Sequence, residues 1–174
     1  MTYKAEQLLE MKDVKDKIIE SLRKTKEVRK EHAFNFCIDN GEIAATDIEG
    51  GKKLSVGTES KCPIKDTKAI GGFHTHTRLT NDGDVVPSPK DIIKSVEDDL
   101  EFFCVGGNKG DIGIIRCFDK ENLSLEMKNI LDNTHKSATG ENIQRASRHV
   151  VGHMLHKKSY LDQHSYVKLY ELGK

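Results

Sequence analysis

Two histidines one residue apart close an apolar run, "AIGGFHTH", at residues 69–76. A polar, Gly- and Asp-rich segment, residues 77–87, follows it, so the run reads as a strand that ends in a loop. A short, continuously apolar strand belongs in the centre of a sheet, covered on both faces. Side chains two apart on a strand point to the same face. His74 and His76 therefore converge and can share one ion.

The rest of the chain is organised around that strand. Residues 3–30 carry Leu8, Met11, Val14, Ile18 and Leu22 at three- and four-residue steps, with Lys, Glu and Asp between them. This spacing predicts one amphipathic helix with no internal Gly or Pro to stop it. "AFNFCIDNGEIAATDIE" reads as two strands joined by a hairpin at Asn40-Gly41. Gly50-Gly51 marks another turn, and "KLSVGTES" a third short strand. Pro87 and Pro89 flank Ser88, which suits the start of a helix with Ile92, Ile93, Val96 and Leu100 turned inward. "EFFCVGG" and "DIGIIRCFD" are two more strands around a turn near Gly107-Asn108. From Asn122 the pattern is helical again, with Leu125, Ile130 and Leu131 in one helix and Ile143, Ala146, Val150 and Met154 in a second. The order helix, strands, helix, strands, helices predicts an α+β or three-layer domain rather than a regular βαβ array.

Composition narrows the functional classes. The chain has 28 Lys+Arg and 28 Asp+Glu, and this balance disfavours bulk attraction to nucleic acid or anionic membrane. The first residues are charged, unlike a secretory signal, and no apolar run is long enough to span a bilayer. A soluble, cytoplasmic chain is expected. Cys37, Cys62, Cys104 and Cys117 form no CxxC pair and read as buried thiols. His149, His153 and His156 share a helix face, but the Glu of the zincin motif is missing there. With Lys157 and Lys158 beside them they read as a partly exposed polar face. "RHVVGHMLHKK" is locally basic but lacks the interleaved aromatics of a nucleic-acid platform.

Asp91 lies one turn into the helix that follows the loop. It can add a carboxylate to the histidine pair. Two His and one carboxylate, with a position left for water, are the donor set of catalytic zinc. Ser88-Pro89-Lys90-Asp91 also has the form of a helix cap, in which Ser88 satisfies a free backbone N–H.

With these residues together, the sequence resembles the JAMM metalloproteases, the metal-bearing branch of the MPN domain family. Their pattern is an upstream Glu, then His-x-His, a seven-residue gap and Ser-x-x-Asp. Here His74-Thr75-His76 is followed by eleven residues and then Ser88-Pro89-Lys90-Asp91, and Thr77 stands where the family often has Pro. A surface loop tolerates such an insertion at small entropic cost. The resemblance implies an MPN (JAMM)-like α+β fold, a central mixed β-sheet flanked by helices, with N- and C-terminal helical additions. Residues 1–30 would form the N-terminal helix, 25–125 the catalytic domain and 122–174 a C-terminal helical extension. The family's Glu sits where the first helix hands over to the first strand, which points to Glu31, with Glu42 and Glu59 as alternatives.

The implied chemistry is zinc-dependent hydrolysis of a peptide or isopeptide bond. His74, His76 and Asp91 would bind Zn²⁺, Glu31 would be the general base, and Ser88 would donate to the oxyanion. In this family the amide often joins a ubiquitin-like protein to a lysine of its target, so a protein or peptide substrate is expected. The terminal helical regions suggest packing between copies of the chain. Two other readings stand beside this one. One is a non-hydrolytic MPN-like scaffold or interaction module. The other is a RadC-like protein of a DNA-related pathway, which shares the motif.

Overall fold

The computed structural model describes residues 4–39, 42–51, 69–79, 85–88, 91, 95, 100–120 and 163–172. Its elements are α1 (Ala5–Leu9), α2 (Lys12–Val28), β1 (His32–Asp39), β2 (Glu42–Ala45), β3 (Glu49–Gly50), β4 (Gly71–Thr75), β5 (Phe102–Lys109), β6 (Ile112–Asp119) and β7 (Tyr166–Glu171). Strands dominate. They form a seven-stranded sheet in the order β2-β1-β4-β5-β6-β7, with β3 also paired to β1. Only β4 and β5 run parallel, so the sheet is mixed.

This corrects the expected MPN-like α+β architecture. Among the described residues both complete helices come from the N-terminus, and no set of helices flanks the sheet. The expected C-terminal helical extension fails at Tyr166–Glu171, which is strand β7 against β6. Its alternating burial, with Tyr170 inward and Leu169 outward, is strand periodicity that the charged context obscured. The helices expected within 122–162, the strand at "KLSVGTES" and the residues Glu59, His149, His153 and His156 lie outside the described residues.

The N-terminal helix is also not continuous. It breaks at Glu10 and Met11, where Met11 is extended with ψ 129°. No breaking residue dictates this; packing does. Ala5, Leu8 and Leu9 of α1 and Val14, Ile18 and Leu22 of α2 are all buried in one core cluster. The break lets each helix meet a different part of the sheet and leaves Met11 40% exposed, outside the stripe expected to hold it.

Sheet parity sorts the side chains. Phe34 and Phe36 of β1, Phe73 of β4, Phe102 and Cys104 of β5, Ile115 and Cys117 of β6 and Tyr170 of β7 belong to the core that the two helices cover. Val105 and Ile114 lie on the opposite face, against Val85 and Leu79 of the loop after β4. The β5–β6 hairpin turns at Gly110, whose φ of 61° suits glycine, rather than at Gly107-Asn108. Gly106 and Gly107 stay inside β5, paired with Ile115 and Ile114, and a Cβ at Gly106 would lie only 3.0 Å from both Ile115 and Phe73. Cys104 and Cys117 are register partners, Cα–Cα 4.1 Å, and form a disulfide where free buried thiols were expected. Cys37 is disulfide-bonded as well. Scattered spacing hid this, because the pair forms only once the hairpin register places the two side by side. No helix among the described residues is long and apolar enough to cross a membrane.

Gly71 sits opposite Phe102, and a Cβ there would overlap the fully buried Phe102 ring. Gly71→Ala is expected to destabilise the fold by about 1–3 kcal/mol through overpacking. Urea denaturation reads this directly, and an unchanged midpoint would show that the ring can move aside.

Candidate metal centre

β4 is central, hydrogen-bonded to β1 on one side and to β5 on the other. Strand alternation sends Phe73 and Thr75 toward α2 and His74 and His76 away from it. Thr75 is fully buried on the α2 side, where its Oγ1 lies 2.5 Å from Thr25 Oγ1 and accepts the His32 backbone N–H at 2.9 Å. His32 Nδ1 in turn lies 3.1 Å from Thr25 Oγ1 and 2.8 Å from the Lys30 carbonyl. This buried network joins α2, the start of β1 and the end of β4 at the residue between the two histidines. The His76 backbone N–H donates to the Gly106 carbonyl at 2.7 Å, so pairing with β5 continues one residue past β4.

The sequence placed His74, His76 and Asp91 together, and so does the structure. His74 Nε2 and His76 Nε2 are 3.0 Å apart, and Asp91 Oδ2 is 3.1 Å from the first and 3.2 Å from the second. One ion can touch all three at the roughly 2.0–2.2 Å usual for zinc with nitrogen and carboxylate oxygen ligands. The three side chains are 16–19% exposed, so the group is largely desolvated but still reachable. A His-His-Asp group this tight could hold a metal ion.

Asp91 is fixed by the segment before it. Its Oδ2 accepts the Ser88 backbone N–H at 2.8 Å, and its own backbone N–H donates to Ser88 Oγ at 3.2 Å. Ser88 thus occupies the capping position that its spacing allowed. Capping uses the hydroxyl oxygen as an acceptor and leaves its proton free to donate. The loop that delivers Ser88 is anchored by Arg116, a buried guanidinium whose Nε donates to the Val85 carbonyl at 3.0 Å and whose Nη1 donates to Ser165 Oγ at 2.6 Å. Sequence reasoning missed Arg116. The one available signal was a lone charge inside the apolar strand "DIGIIRCFD".

Glu31 immediately precedes β1, whose register pairs Ala33 with His74. The parity that puts His32 with Thr75 on the α2 side puts Glu31 on the side of the histidines, and its charge acts on His74. Glu42 is exposed on the edge strand β2, separated from β4 by β1.

The electrostatics bind the group together. Burial works against the charged form of His74, but the charge and hydrogen bond of Asp91 and the charge of Glu31 hold its pKa above the ordinary histidine value. Burial alone would raise the Asp91 carboxyl, yet His74 and then His76 hold it far below the usual carboxylate range.

No family model matches the chain, and no curated protein matches it. The assignment of chemistry therefore rests on the residues themselves.

In the metal-free protein Asp91 favours the protonated form of His74, and an ion must displace that proton. Apparent metal affinity is therefore expected to weaken as pH falls, beginning above the ordinary histidine pKa of about 6.5. Competition with a chromophoric chelator across this range measures it. A flat profile would mean that no histidine ligand is protonated before metal enters.

Proposed function

We propose that the chain is a zinc-dependent hydrolase of the JAMM type in its chemistry, cleaving a peptide or isopeptide bond. The observation that carries this reading is the convergence of His74 Nε2, His76 Nε2 and Asp91 Oδ2 within 3.0–3.2 Å of one another. The position of Glu31, close enough for its charge to act on His74, supports the same reading.

His74, His76 and Asp91 would hold the zinc through two nitrogens and one oxygen. Bound there, zinc supplies Lewis acidity toward a carbonyl oxygen and lowers the pKa of water to about 7. Glu31 takes one proton from the attacking water. The water oxygen bonds to the carbonyl carbon, and the C–N bond then breaks. Glu31 returns the proton to the departing amine, so the residue ends as it began. Ser88 donates its hydroxyl proton in a hydrogen bond to the oxygen that gains charge, while its Oγ stays anchored by the Asp91 N–H. Arg116 keeps the Val85 carbonyl, and with it the approach to Ser88, in place.

A protein or peptide substrate, including a ubiquitin-like conjugate, is the class this chemistry serves. The disulfides weigh against the cytoplasmic setting expected from the sequence, since reducing compartments rarely keep such bonds.

Purified chain is expected to bind one zinc per molecule by elemental analysis, and His74→Ala to lose it. Glu31→Gln is expected to keep the metal and lose about 10²–10⁴-fold in hydrolysis of a ubiquitin-like conjugate or a fluorogenic peptide. Full activity in Glu31→Gln would remove Glu31 as the base. Stoichiometric zinc with no hydrolysis of any substrate by the unaltered protein would favour an interaction module instead.

A further inference from the structure

A cleft of about 430 Å³ opens beside the metal centre, and His76 forms part of its wall. Three cationic residues line it: Lys26 and Arg29 from the end of α2, and Arg78 from the loop after β4. Among the described residues, no acidic one lines it. In a chain of 28 basic and 28 acidic residues, the described lining is a local cationic cluster beside the candidate site. Lys26 is partly neutralised, because its Nζ lies 2.6 Å from Asp111 Oδ1 at an exposed position. Arg29 and Arg78 are exposed and make no ion pair among the described residues. The guanidinium fork matches a carboxylate in two parallel hydrogen bonds, which a Lys ammonium cannot do.

Arg29 carries a second signal. It caps α2 in the left-handed region, φ 52° and ψ 43°, and is the one non-glycine with positive φ among the described residues. Glycine is the residue that holds this position without strain. The chain keeps an arginine there and thereby aims a cation at the cleft.

Resting on the hydrolase reading above, we propose that this cleft is a carboxylate subsite that selects an acidic substrate for the metal centre. The carboxylate comes either from an Asp or Glu side chain near the scissile amide or from the substrate's own C-terminus. Both present the same planar anion to Arg29 and Arg78. His76 is common to the cleft and the metal centre, so the subsite adjoins the centre.

Two measurements on the full chain test this. The first titrates glutarate into metal-free protein, where no ion competes for the carboxylate. Saturable, salt-sensitive binding is expected, weakened about tenfold by Arg78→Gln and similarly by Arg29→Gly. Arg29→Gly also relieves the backbone, so its Tm is expected to rise while its binding falls, which a merely structural role for Arg29 would not produce. The second compares zinc-loaded cleavage of peptides carrying Glu or Gln beside the scissile bond, each with a free or an amidated C-terminus. A preference for Glu that the Arg variants abolish assigns the side-chain source, and a preference for the free C-terminus assigns the other. Absence of glutarate binding, or binding unchanged in both Arg variants, overturns the subsite even if hydrolysis is found. Arginine-dependent glutarate binding in a protein that takes up no zinc keeps the subsite and overturns the hydrolase reading.

Discussion

The structure depends on the alternation of side chains along β4 and the residue that follows it. One parity carries Phe73 and Thr75 into the core beneath α2. The other carries His74 and His76 to the opposite face. Neither set can move without the other, because a shift of register by one residue would exchange them. The hydrophobic packing of Phe73 and the buried hydroxyls of Thr75 and Thr25 are thus what aim the two imidazoles. The same parity, passed across the β1–β4 register, places His32 with the threonines and Glu31 with the histidines.

A desolvated site with two imidazoles and a carboxylate is costly unless its charges are matched. The arrangement meets this cost locally. Asp91 is held by a backbone N–H and both histidines, and Ser88 closes the same turn from the other side. Arg116 brings a further buried charge and spends its donors on the Val85 carbonyl and Ser165. It ties the loop before Ser88 to the residue before β7, so the far part of the chain helps to position the centre.

Much of the site was legible because it is local. His-x-His on an apolar strand and Ser-x-x-Asp at a helix start each fix a geometry within a few residues, and the loop between them only has to bring them together. The pairing of β1 with β2 was legible for the same reason, since the two strands lie next to each other in sequence and their register ends at Asp39 and Glu42. What failed was set by distant partners. The break at Met11 answers to the sheet and not to any residue near it. β7 looked helical because its alternation runs for only six residues among charged neighbours. The Cys104–Cys117 pair needed a register that spacing alone does not give. The cleft cations come from α2 and from the loop after β4, so nothing in either segment announces the other.

Strand β7 has a consequence for how the molecule is made. Besides β6, it and the residue after it meet α1, α2 and the turn between them: the Tyr170 hydroxyl donates to the Leu9 carbonyl, the Leu172 carbonyl accepts from Arg23, and Lys168 pairs with Glu10. These contacts span 149 to 161 residues of sequence. On the ribosome, α1 and α2 emerge long before residues that complete their surroundings. Until then Leu8, Leu9 and Leu22 lack Tyr170 and Leu172, their neighbours in the core. Such non-local closure slows folding and prolongs the exposure of apolar surface. The nascent chain must keep α1 and α2 out of other company until β7 arrives.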